Sequence, residues 1–99
     1  MPADVRQFRV VGRVQGVGFR WFVRELARTL DLAGWVRNEA DGAVLLVASG
    51  SPEALAKLEA GVRTGPSGSR VDHVDVTAPQ ESEQALPRPF KVVREAFDA

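Results

Sequence analysis

Cysteine is absent from these 99 residues and histidine occurs once, as His73. Such a chain cannot build a disulfide, a thiolate nucleophile, a Cys-ligated zinc or a His-cluster metal site, and the list of reactions shrinks accordingly. A dominant charge is missing too: 13 basic and 13 acidic side chains cancel, which argues against a polyanion partner held by bulk charge. The longest unbroken apolar run, Ala43 to Ala48, falls far short of the roughly 20 residues a membrane-spanning helix needs. Met1-Pro2-Ala3-Asp4 lacks the charged and apolar regions of a signal peptide. The chain therefore reads as soluble and cytoplasmic, with no membrane partner. Lysine is scarce, at two residues, Lys57 and Lys91, against 11 arginines, a bias to which we attach no function. What is present, 44% hydrophobic and 26% charged residues, lies near the globular average. The length predicts a single domain over residues 1–99 around one core.

From Val5 to Val14 the sequence alternates, with Phe8, Val10, Gly12 and Val14 on one side, which predicts a strand with one buried face. At Phe19 the period changes. Phe19, Phe22, Val23, Leu26, Ala27 and Leu30 fall at helical spacing while Arg20, Arg24 and Arg28 line another side, predicting an amphipathic helix that ends near Asp31. Gly34 to Asn38 reads as a second strand, and Asp41-Gly42 is a hairpin signal leading into a third over Ala43 to Ala48. Ser51-Pro52 supplies an N-cap and a proline at the first helical position, and Leu55, Leu58 and Val62 form the apolar stripe of a second helix. The stretch Thr64 to Ser69 stops it. Val71 to Thr77 follows as a fourth strand, Pro79 to Pro87 as a polar loop, and Phe90 to Arg94 as a short fifth strand at an edge.

The order βαββαβ predicts an α+β fold, a ferredoxin-like sandwich: an antiparallel sheet with two helices on one face plus a short C-terminal edge strand. In this topology the first two strands run the same way with the third between them. The loop Gln15 to Phe19 and Asn38 then share one rim, roughly 10 Å apart across two interstrand spacings. Gly16 and Gly18 let backbone amides converge where the helix begins, and Arg20 adds a planar fork of donors suited to phosphate. The segment is neither a dinucleotide fingerprint, since Trp21 stands where glycine would be needed, nor a P-loop, since no Lys-Ser or Lys-Thr pair follows. Taken singly, the glycines describe a tight turn, Arg20 a solvated helix residue and Asn38 a turn residue. Their convergence on one rim is what points to a site.

Val14-Gln15-Gly16-Val17-Gly18-Phe19-Arg20, followed by Gly34-Trp35-Val36-Arg37-Asn38 and Asp41-Gly42, resembles the paired signature of the acylphosphatases, small enzymes of this fold and size. The resemblance extends over nearly the whole chain. It implies metal-free, cofactor-free hydrolysis of small acyl phosphates to carboxylate and inorganic phosphate, with phosphate a product that inhibits. It further implies that Arg20 and the amides of Gln15, Gly16, Val17, Gly18 and Phe19 bind the phosphoryl group, and that Asn38 positions the attacking water. Pro79 to Pro87 departs from the family pattern, which leaves the preferred acyl group open. The chemistry agrees independently: the leaving group is a carboxylate, stable as an anion, so no catalytic acid is required. Positioning and charge stabilisation on the equatorial oxygens suffice for such a transfer.

Other residues are expected to be bystanders. His73, between Asp72 and Asp75, reads as a surface residue, and Trp21 and Trp35 as partly buried beside the sheet. Arg9, Arg13 and Arg37 fit a solvated sheet face as well as an electropositive site. Val11, Leu45 and Val47 are expected to form a small apolar strip on the helix-free face, with a monomer as the expected state. RNA binding fits poorly, because the third strand offers no aromatic residue and net charge is zero, so no nucleic-acid partner is expected. The remaining alternative is a non-catalytic phosphate-binding module, since acylphosphatase-like domains also occur inside larger hydrogenase-maturation proteins; a chain of 99 residues favours the enzyme.

Overall fold

The computed structural model describes residues 4–79 and 86–93. Seven elements follow in chain order: β1 (Asp4–Arg13), α1 (Phe19–Thr29), β2 (Ala33–Asn38), β3 (Val44–Gly50), α2 (Pro52–Thr64), β4 (Arg70–Thr77) and β5 (Lys91–Val92). The strands form one sheet in the order β4-β1-β3-β2-β5. β3 lies between β1 and β2 and is antiparallel to both, so β1 and β2 run parallel and end on the same rim, as the split βαβ topology requires. The predicted antiparallel sheet holds for four strands. At the edge, β5 pairs with β2 in parallel, because the chain returns from β4 on the far side of the sheet and re-enters alongside β2. This fifth strand is shorter than the sequence predicts: Phe90 precedes it fully buried, and Arg94 lies outside the described residues.

Alternation in the strands and helical spacing in α1 and α2 meet in one core. Phe8, Val10, Val36, Val44, Leu46 and Ala48 face Phe19, Val23 and Ala27 of α1 and Leu55, Leu58 and Val62 of α2. α2 starts as expected, with Ser51 Oγ accepting from Ala54 N at 3.1 Å and Pro52 in the first turn. Residues 86–93 strap the free edge of β2. Gly34 N donates to Pro87 O at 2.8 Å, Val93 N to Val36 O at 2.9 Å, and Arg28 Nε reaches Phe90 O at 2.7 Å. Of the Pro79–Pro87 loop, residues 80–85 lie outside the described part.

The helix-free face corrects one expectation. Leu45 and Val47 are only 9% and 5% exposed. Their cross-strand partners are Gln7, Arg9, Trp35 and Arg37, long side chains that fold over the sheet and cover the apolar strip. Arg37 sits 4.9 Å from the Trp35 ring centroid and bonds Glu39 at 2.7 Å, while Arg9 pairs with Asp41. These two arginines are therefore each paired with a carboxylate on the far face.

Candidate active site

β1 gives way after Arg13 to a turn in which Gly16 and Gly18 hold φ of 76° and 77°, a left-handed conformation that costs other L-residues roughly 1–2 kcal/mol. A Cβ at either would meet nothing within 4 Å, so glycine is there for the backbone angle and not for space. Gly18 is the N-cap of α1, with no side chain capping the helix and no acid in its first turn. α2 differs in both respects, since Ser51 caps it and Glu53 lies in its first turn. The start of α1 thus has no side-chain cap at the positive end of the helix dipole, a setting that suits an anion, with Arg20 as the second helical residue. Phe19, fully buried, anchors this start to the core and packs on Phe22 with centroids 6.1 Å apart.

Strand register brings Asn38 to the same rim. Val44 of β3 pairs with Val10 on one side and Asn38 on the other, so β1 and β2 stand two interstrand spacings apart there, roughly 10 Å. Asn38 follows buried Val36 by two residues and faces the helix-covered side, where it is 8% exposed. Gln15 ties the two parts together: its Nε2 donates to Glu39 O at 2.8 Å and Ala43 O at 2.9 Å, the two carbonyls at the base of the β2–β3 hairpin. Sequence reasoning placed Gln15 in the loop for its amide alone; the side-chain clamp needed the folded hairpin to be seen.

Beside the loop opens a cavity of about 410 Å³, walled by Val14, Gly16, Gly18, Phe19, Arg20, Trp21 and Arg24 on one side and by Lys91 and Val92 of β5 on the other. Trp21 does not pack beside the sheet as expected. It is 61% exposed, because it projects from the outer side of α1, with the Arg24 guanidinium 4.3 Å from its ring centroid. Trp35 is half-buried, and exposed His73 holds Asp75 at 2.7 Å on β4. Asp72 holds the Arg70 guanidinium above its ordinary pKa, through its hydrogen bond and then its charge. Among the described residues no group of three metal-ligating side chains comes together, and no helix is long and apolar enough to cross a membrane.

Fold and rim together define a class: small α+β sandwiches in which a glycine turn opens an uncapped helix, with an arginine at its start and an asparagine across the sheet. The chain belongs to the acylphosphatase family, whose model matches residues 6–92. It is 54% identical over 87 residues to an acylphosphatase of Nitratidesulfovibrio vulgaris, covering 88% of this chain and 87% of that one. Its fold superposes on the crystal structure of acylphosphatase from Bacillus subtilis with a TM-score of 0.81 and 39% identity, over 90% of this chain and 97% of that one. A full-length HypF in a phosphate- and nucleotide-bound form contains a similar unit, with TM-score 0.79 and 28% identity, covering 98% of this chain and 13% of that one.

Proposed function

We propose that Arg20 and the amides from Gln15 to Phe19 hold the phosphoryl group of a small acyl phosphate while Asn38 orients the water that attacks it. Family membership makes the chain an acylphosphatase, a hydrolase of acyl phosphates. The observation that carries the residue assignment is the register, in which Val44 bridges β1 and β2 so that the uncapped start of α1 and Asn38 share one rim.

Water oxygen bonds to phosphorus as the bond from phosphorus to the acyl oxygen breaks, and the carboxylate departs with the bonding pair. A phosphoryl oxygen takes the water proton, giving dihydrogen phosphate and carboxylate with total charge conserved. Asparagine accepts a hydrogen bond through its carbonyl oxygen but is too weak a base to deprotonate water, so its part is orientation. Arg20 and the helix amides meet charge on the equatorial oxygens. A cationic cavity wall, with Arg20, Arg24 and Lys91 and no carboxylate among its described residues, suits an anionic substrate better than a metal ion. The enzyme acts in the cytoplasm as a monomer over a single domain, with inorganic phosphate as a competing ligand.

Acetyl phosphate should be hydrolysed undiminished in excess chelator, and phosphate monoesters, whose alkoxides need an acid, about a hundredfold or more slowly. A requirement for added magnesium, or comparable rates on both substrate types, would reject this mechanism. Phosphate binding without turnover would instead favour an accessory module like the corresponding part of HypF.

A further inference from the structure

We propose that the cavity beside the loop is a subsite for an acyl group carrying its own negative charge, bound by Lys91 and Arg24 with its carbon skeleton against Trp21. The inference rests on the acylphosphatase reading, with the phosphoryl group held at Arg20.

Size comes first. At about 410 Å³ the cavity is in the range that takes whole small molecules, far more than a phosphoryl group needs. With phosphate at Gly16, Gly18 and Arg20, the remaining wall is the buried pair Val14 and Phe19, Trp21 and Arg24 from α1, and Lys91 and Val92 from β5. Trp21 presents a broad apolar ring to solvent at 61% exposure, held by the guanidinium stacked 4.3 Å away. A ring so displayed at the mouth of a site offers a flat platform for a substrate's carbon atoms.

Charge sets the other half of the specificity. The described lining carries three cations and no carboxylate. Arg20 is committed to the phosphoryl group. Arg24 pairs with Glu25, which is not part of the wall, and a guanidinium has five N–H donors to share. Lys91 is exposed and makes no ion pair among the described residues. It is one of the two lysines of the chain, and the other, Lys57, lies on α2. A neutral acyl group leaves the Lys91 ammonium with only water to bind; a carboxylate on the acyl group meets it directly.

The test compares 4-carboxybenzoyl phosphate with 4-methylbenzoyl phosphate, matched in shape and unable to cyclise, by kcat/KM on the full chain. The parent should favour the carboxylate substrate by about fivefold or more, the scale of one partly exposed charge-assisted hydrogen bond. Lys91→Met should reduce that ratio about threefold and Lys91→Glu should invert it, both with the circular dichroism of the parent. Raising ionic strength from about 0.01 M to about 1 M, which contracts the screening length from about 30 Å to about 3 Å, should pull the parent's ratio toward that of Lys91→Met. Trp21→Ala should raise KM for both substrates and leave a preference for the carboxylate. Hydrolysis of both substrates with a ratio near one, or a ratio that Lys91→Glu does not move, overturns the subsite and leaves the hydrolase reading standing. Failure of the parent to hydrolyse either overturns the hydrolase reading, and the subsite with it.

Discussion

Arg20 and Asn38 sit on one rim and are expected to control different steps, because only an interaction that strengthens in the transition state raises turnover. In the proposed mechanism Arg20, second in α1, meets phosphate oxygens before and during transfer. Arg20→Ala should therefore weaken inhibition by inorganic phosphate and raise the barrier by about 3 kcal/mol, the scale of a lost oxyanion donor. Arg20→Lys should recover little, since a point charge does not reproduce the fork. Asn38 is assigned to the water, on the side of phosphorus away from the departing carboxylate. Asn38→Ala should remain folded, bind phosphate nearly as the parent does, and turn over almost nothing. Phosphate titration beside steady-state kinetics, with circular dichroism to check folding, separates the two. Parent-like turnover in Asn38→Ala, or loss of phosphate binding equal to that of Arg20→Ala, would remove the water-orienting role.

At the scale of elements, the site depends on a loop and a hairpin holding station beside each other. Gln15 does this through two hydrogen bonds from one amide nitrogen, to Glu39 O and Ala43 O. Each such bond contributes about 1 kcal/mol net, with more lost where a buried carbonyl is left unmet. Gln15→Leu should lower stability to urea by about 1–3 kcal/mol and reduce kcat. Gln15→Glu should be worse than Gln15→Leu, because a carboxylate facing two carbonyls has no donor to give and repels both. Equal stability of Gln15→Glu and the parent near neutral pH would show that the clamp carries no load.

For the whole molecule, the sheet face without helices is where the sequence places an apolar strip through which chains could pair. A bare strip of Val11, Leu45 and Val47 would favour pairing, but Leu45 and Val47 are buried within the chain itself under Arg9, Trp35 and Arg37. Two ion pairs, Arg9 with Asp41 and Arg37 with Glu39, hold that cover in place and would have to be desolvated in any face-to-face dimer. Light scattering over a dilution series should return the mass of one chain, and a dimer that persists at the lowest concentrations would contradict this.

Local patterns were legible in the sequence because each is written in consecutive residues. The alternation around Phe8 and Val10, the helical stripe from Phe19, the Ser51-Pro52 cap and the Asp41-Gly42 hairpin all appear where they were predicted, and their order was enough to imply which strands neighbour which. The glycine turn and Arg20 were legible for the same reason, being contiguous. The remaining features depend on which distant residues become neighbours. That Gly34 must lack a side chain follows from Val47 O, which would stand 1.9 Å from a Cβ there. The parallel pairing of β5 follows from the strap across β2, and the exposure of Trp21 from which side of α1 the sheet occupies. The burial of Leu45 and Val47 follows from long side chains arriving on adjacent strands. Periodicity says that a residue faces a core or solvent, but not what covers it. The sequence by itself determined the elements, their order and the residue types on the rim; only the tertiary structure decided the Gln15 clamp, the covered face and the cationic cavity, because each joins side chains far apart in the chain.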